Sequence, residues 1–190
     1  MASLNPISGT LGVKNAAHLL RRATFGPTIQ DIQVFSGYTP AMAFHQLTQT
    51  QAAPDLPIDF LSGTDWVHPN TKHPDRFLDT LSKLNSAWWI DTMRTSGPNL
   101  TERMVWFYHT HFPIIISRVE GHPQLALDYI RLLRFYALGN YKDLAKAFCI
   151  DNAVLIHLDG HLNIKGVPQE NFAREFLELF TVGKGPQLGP

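Results

Sequence analysis

The chain has 190 residues, 44% of them hydrophobic and 17% charged, and its 16 basic and 16 acidic side chains cancel. That length fits one domain able to bury a sizeable core, and the balanced charge lacks the electrostatic footprint of a nucleic-acid binder. Cys149 is the single cysteine, so an intrachain disulfide and a thiolate metal cluster are excluded. Set in the apolar run Ala147-Phe148-Cys149-Ile150, it reads as a small buried hydrophobe. No stretch approaches the ~20 apolar residues of a membrane span. Met1 to Asn15 shows neither the basic start nor the apolar run of a signal peptide.

In chain order, Val13 to Thr24 has a helical apolar side of Ala16, Ala17, Leu19, Leu20 and Ala23, and Gly26-Pro27 stops it. Thr28 with Asp31 predicts a capping box opening a short helix to Gly37. Thr39-Pro40 offers an N-cap and a first-turn proline for a third helix to about Thr50. Residues 52–70, punctuated by Pro54, Pro57, Gly63 and Pro69, predict a long loop. Pro74 to Thr95 is amphipathic, with Phe77, Leu81, Leu84 and Trp88 at helical spacing. Further helices are expected over Thr101 to His111, Pro123 to Leu138 (ended by Gly139-Asn140), Tyr141 to Ile150 and Asn152 to Leu158, with Asp151 as an N-cap. Ile114-Ile115-Ile116 is β-leaning but too short to argue a sheet. The expected fold is all-α, a single orthogonally packed domain of about eight or nine helices without a significant sheet.

The stretch Asn163 to Gly183 organises the reading. Pro168 suits a first helical turn and Gly183 a helix stop. At about 100° per residue, Phe172, Phe176, Leu179 and Phe180 share one arc, widened by Ala173 and Leu177. Asn171, Arg174, Glu175 and Glu178 gather on another. Glu170 and Asn163 add polar groups upstream. An amide, a guanidinium and carboxylates on one face are groups that acid–base chemistry uses, and they are equally what a buried structural network or a solvated helix face uses. His109 and His111 lie near a predicted helix end; if the chain leaves α geometry there, both imidazoles can turn one way and, with Glu175 and Glu178, hold a divalent transition metal such as zinc. His157 and His161 have i, i+4 spacing, but Leu158 stands where the H-E-x-x-H motif needs its glutamate.

Four phrases, in order, carry a resemblance. They are Ala17-His18-Leu19-Leu20-Arg21-Arg22-Ala23-Thr24-Phe25-Gly26, then Glu102 to Phe112 (E-R-M-V-W-F-Y-H-T-H-F), then Leu132-Leu133-Arg134 with Ala137 to Tyr141, and finally Pro168 to Gly183. Together the chain resembles the bacterial DUF1800 family, a domain of unknown function. It departs in Gln169 and Tyr108, where asparagine and tryptophan are usual. The resemblance implies that the chain is the N-terminal portion of a longer family domain, some of whose members are exported.

Two function classes follow. One is a metal-assisted or acid–base hydrolase using His109, His111, Glu175 and Glu178, with Arg174, Asn171, Glu170 and Asn163 around them. The other is a non-catalytic scaffold or partner-binding module of a larger exported or envelope-associated protein. Apolar surface left uncovered by a missing second half would invite a homodimer.

Overall fold

A computed structural model of the chain describes residues 7–59, 63–65, 78–115, 118–119 and 123–185. The fold is all-α, and 64% of the described residues are helical. Among the described residues the helices are α1 (Gly12–Ala23), α2 (Ile29–Ser36), α3 (Pro40–Leu47), α4 (Leu78–Thr95), α5 (Thr101–His111), α6 (Pro123–Phe135), α7 (Tyr141–Cys149), α8 (Asn152–His157) and α9 (Glu170–Glu175). A 3-10 turn covers Gly160–Leu162, and α9 runs on into a π-helical segment, Phe176–Thr181. Among the described residues strand pairing is confined to a two-residue antiparallel ribbon, β1 (Ile58–Asp59) with β2 (Thr64–Asp65), and a bridge between Ile164 and Val167. The ribbon interrupts the predicted loop. Positions 60–62 and 66–70 of that loop, the start of the helix expected from Pro74, and Ile116 lie outside the described residues. No described helix is long and apolar enough to cross a membrane.

Short-range chemistry sets the helix starts. Thr28 Oγ1 accepts the Asp31 N–H at 3.1 Å while Asp31 Oδ2 accepts the Thr28 N–H at 2.8 Å, the reciprocal box expected. Thr39 caps α3 through the Met42 N–H, with Pro40 first in the helix. Asp151 Oδ1 accepts from Ala153 and Val154 at 3.0 and 3.2 Å and opens α8. Asn140, expected as a helix stop, instead opens α7 by accepting from Lys142 and Asp143. Its short side chain reaches backbone N–H groups ahead of it, the local competition that makes asparagine a good N-cap.

The chain divides into two compact units, Met1–Asp55 with Trp89–Met104, and Leu56–Trp88 with Val105–Pro190. In the first, Leu11, Ala16, Leu20, Ala23, Phe35, Ala43 and Leu47 form the core. Asn99 braces it, accepting the Thr101 N–H and donating to the Gln49 carbonyl, both at 2.8 Å. Arg103 donates to the Thr24 carbonyl at 2.7 Å and lies 4.2 Å over the Phe25 ring. In the second unit α6 packs against α7 and α8. Leu81 of the predicted amphipathic run meets Leu127, with Leu84 and Trp88 against them. Phe112, Leu127, Tyr129, Leu133, Leu144, Phe148 and Val154 are fully buried.

A candidate contact helix and the groups that hold it

The closing helix is delivered by a stapled loop. Asn163 donates through Nδ2 to the Gly160 carbonyl at 2.8 Å and accepts the Gln169 N–H on Oδ1 at 2.7 Å. Both ends of its amide are therefore engaged with backbone. The bond to Gln169 holds that residue extended (φ −85°, ψ 101°), so α9 begins at Glu170 and Pro168 stands ahead of the first turn instead of inside it. Gly160 leaves room for the helix: a Cβ there would stand 2.8 Å from Leu155 Cδ2 and 3.0 Å from Phe172 Cδ2.

From Phe176 the winding changes, and with it the facing of the side chains. A π-helix bonds i to i+5 and holds more residues per turn than an α-helix. Residues four apart then stay in line, whereas residues three apart fall off it. Phe172, Phe176 and Phe180 accordingly form the inward stripe. The first two rings stack at 6.3 Å, and Phe180 is buried with its ring 5.5 Å from Phe148 and 5.8 Å from Phe112. Leu179, expected on that stripe, is 60% exposed, and Leu177 is 49% exposed. Ala173, expected to widen the apolar arc, is exposed as well. Thr181 Oγ1 donates back to the Phe176 carbonyl at 2.9 Å, five residues earlier. The helix stops as predicted at Gly183 (φ 79°), whose N–H reaches the Leu177 carbonyl.

Two side chains from far away in the chain hold the end of this helix. The Phe180 carbonyl accepts from Tyr141 Oη at 2.6 Å, and His111 Nε2 lies 3.0 Å from the same oxygen and 3.2 Å from Tyr141 Oη. A carbonyl only accepts, so the imidazole presents Nε2–H there. The last carbonyls of a helix have no partner within it, and these donors supply one. Tyr141 was not singled out by the sequence; its partner lies 39 residues away, and no spacing rule connects them.

The expected histidine pair does not converge. Helix α5 keeps its α bonding past His109, with Phe112 N–H to the Tyr108 carbonyl at 2.7 Å, so residues two apart point about 200° apart. His109 lies among Trp106 and Tyr129, ring centroids 6.2 and 5.9 Å away, while His111 stacks on Phe107 and turns to Tyr141. Among the described residues no three or more His, Cys, Asp or Glu side chains gather as a metal would need. His157 and His161 also go separate ways. His157 Nδ1 accepts the Ile115 N–H at 3.3 Å, and His161 Nδ1 donates to the Leu155 carbonyl at 3.1 Å.

Burial pushes the pKa of both His109 and His157 below the ordinary value, and the Arg118 guanidinium adds to the effect at His157. The folded state thus prefers both rings neutral, while the unfolded chain takes up protons near ~6.5. Their contribution to stability is complete above that pH and is lost as pH falls below it toward the folded-state values. We expect the urea midpoint to fall between about pH 7.5 and 5.5, with a shallower fall in His109→Gln. An unchanged slope in that variant would remove His109 from the account.

On the polar side, Arg174 Nη2 donates to Asn171 Oδ1 at 3.0 Å and to Glu175 Oε1 at 2.7 Å. Glu178, at i, i+4 spacing from Arg174, makes no hydrogen bond or ion pair among the described residues. Glu170 is exposed in the first turn, where its charge suits the helix dipole. The Arg174 side chain is 57% exposed and that of Glu175 20%. Such a pair is worth about 0–1 kcal/mol. Arg174→Ala should lower the urea unfolding free energy by no more than that, and a loss of several kcal/mol would restore the idea of a buried network.

In the first unit, Tyr38, Ala41, Met42, His45 and Gln46 line an open hollow of about 400 Å³. A family model described as "Protein of unknown function (DUF1800)" matches residues 18–187. Comparison with curated proteins and with solved structures finds no significant match.

Proposed function

The chain belongs to the DUF1800 family, whose description names no activity, and we propose that it is a helical partner-binding module whose contact element is the closing helix. The observation that carries this reading is the outward face of that helix. Ala173, Leu177 and Val182 are exposed, the last two at 49% and 77%. Arg174 and Glu178 lie between them at the i, i+1, i+4, i+5, i+9 positions of one helical face. An exposed apolar strip carrying a few charges is the composition of a protein contact surface. The interior face, by contrast, is anchored by three phenylalanines and by the donors on the Phe180 carbonyl, so the helix is presented from a firm base.

Under this reading Arg174 and Glu178 are contact residues, Glu170 and Glu175 flank them, and Asn163 and Asn171 shape the presenting loop and first turn. His111 positions the helix end. The metal-assisted hydrolase is the weaker reading, because α5 turns His109 and His111 apart. The test is a photo-crosslinking side chain placed at Leu177 in cells producing the protein, with exposed Lys146 on α7 as the control position. A discrete protein adduct is expected from position 177 and none from 146. No adduct from 177, or equal adducts from both, would overturn the proposal.

A further inference from the structure

We propose that the partner of this helix is a second copy of the chain, docked antiparallel so that Arg174 of each protomer meets the partner's Glu178. The inference rests on the reading of the closing helix as a contact element and adds the identity of what it contacts. In an antiparallel pair related by a two-fold axis, residues at equal distances from the axis face one another. Centring the axis at Phe176 sets Arg174 opposite the partner's Glu178 and Glu178 opposite the partner's Arg174. One helix face thereby supplies two ion pairs from a single pair of residue types.

Four observations favour a self-complementary partner over an unrelated one. Arg174 engages only Nη2 within its own chain, leaving Nε and Nη1 without hydrogen bonds among the described residues. A guanidinium fork can therefore receive a second carboxylate while keeping the first. Glu178 is half-buried and has no partner among the described residues. A carboxylate partly removed from water gains from a cation that completes it. Leu177 stands one residue from the proposed axis and faces the partner's Glu175, but the two Leu177 side chains are offset by only about 3 Å along the helices, so their exposed surface (49%) packs side by side across the axis and gives the contact an apolar centre. The 16 basic and 16 acidic side chains cancel, so two copies approach without net repulsion.

Sedimentation equilibrium with charge swaps tests the pairing. The wild-type mass should rise with concentration from 21.4 kDa toward twice that value. R174E alone and E178R alone should each stay monomeric, because every cross-pair is then like-charged. An equimolar mixture of the two should associate again, as should the double variant R174E/E178R, since both restore opposite charges across the axis. Leu177→Asp, which leaves the ion pairs intact, should also lose the dimer. Helicity by circular dichroism verifies that each variant is folded, and a variant that fails this check is replaced by Leu177→Asp as the disruption read. A wild type that stays monomeric up to its solubility limit overturns the proposal, as do single variants that still associate or a mixture that does not. If the chain is monomeric but position 177 crosslinks to a different protein, self-pairing fails and the partner-binding reading stands. If position 177 yields no adduct, that reading fails as well.

Discussion

Phe148→Ala is expected to leave the second unit largely unfolded or aggregating under conditions in which the wild type is stable. Phe148 has no exposed surface and is the ring on which the others converge. Phe112 lies 4.5 Å from it, Phe180 5.5 Å, Tyr129 6.3 Å and Phe176 6.4 Å, centroid to centroid. These neighbours come from the end of α5, from α6 and from the closing helix, so a cavity there loosens three segments at once. Truncating a buried phenylalanine to alanine costs about 3–5 kcal/mol, a large part of the ~5–15 kcal/mol that stabilises a domain. Phe148→Leu keeps most of the volume and should lose much less. An unfolding free energy in urea for Phe148→Ala within about 1 kcal/mol of wild type would mean that the cluster collapses onto the gap, and that the closing helix is held mainly through the Phe180 carbonyl.

Arg103→Ala should be the most damaging single change in the first unit that leaves the hydrophobic core untouched. Its guanidinium donates to the Thr24 carbonyl at 2.7 Å and, more weakly, to the Arg21 carbonyl at 3.4 Å, where α1 ends. It also lies 4.2 Å over the Phe25 ring. Hydrogen bonds from a charged donor contribute about 1.5–3 kcal/mol, and a cation over an aromatic face adds about 0.5–1 kcal/mol. We expect a loss of about 2–3 kcal/mol in urea unfolding. Arg103→Lys should recover only part of it, because an ammonium cannot spread flat over Phe25 while reaching both carbonyls. Equal stability of the two variants would show that charge alone matters at this position.

Arg103 and Phe25 belong to two of the phrases on which the family resemblance rests. Their contact gives a packing reason for residue types that carry no activity by themselves. The polar stripe of the closing helix was legible as a set of residues, since helical spacing alone gathers Asn171, Arg174, Glu175 and Glu178. Its internal pairing was not. Arg174 turns to Glu175 and Asn171, a choice among neighbours within reach that rotamers and crowding make. Leu179 falls off the inward stripe because the segment from Phe176 winds as a π-helix, so 100° per residue does not hold across it.

The local grammar of the fold is carried by short stretches of the chain. Thr28, Thr39 and Asp151 open their helices because each side chain reaches a backbone N–H two or three residues ahead. Gly183 ends the last one because its left-handed φ of 79° costs a glycine little. Those interactions span a few residues and need nothing from the rest of the chain. The tertiary structure alone decided where the Phe180 carbonyl finds its donors, across 69 residues to His111 and 39 to Tyr141. It also decided that α5 stays helical past His109, turning the two histidines apart, and that Phe180 is driven against Phe112 and Phe148. Burial of that aromatic stripe sets which side of the closing helix faces outward, and an energy shared among rings from four segments leaves no mark in the spacing of any one of them.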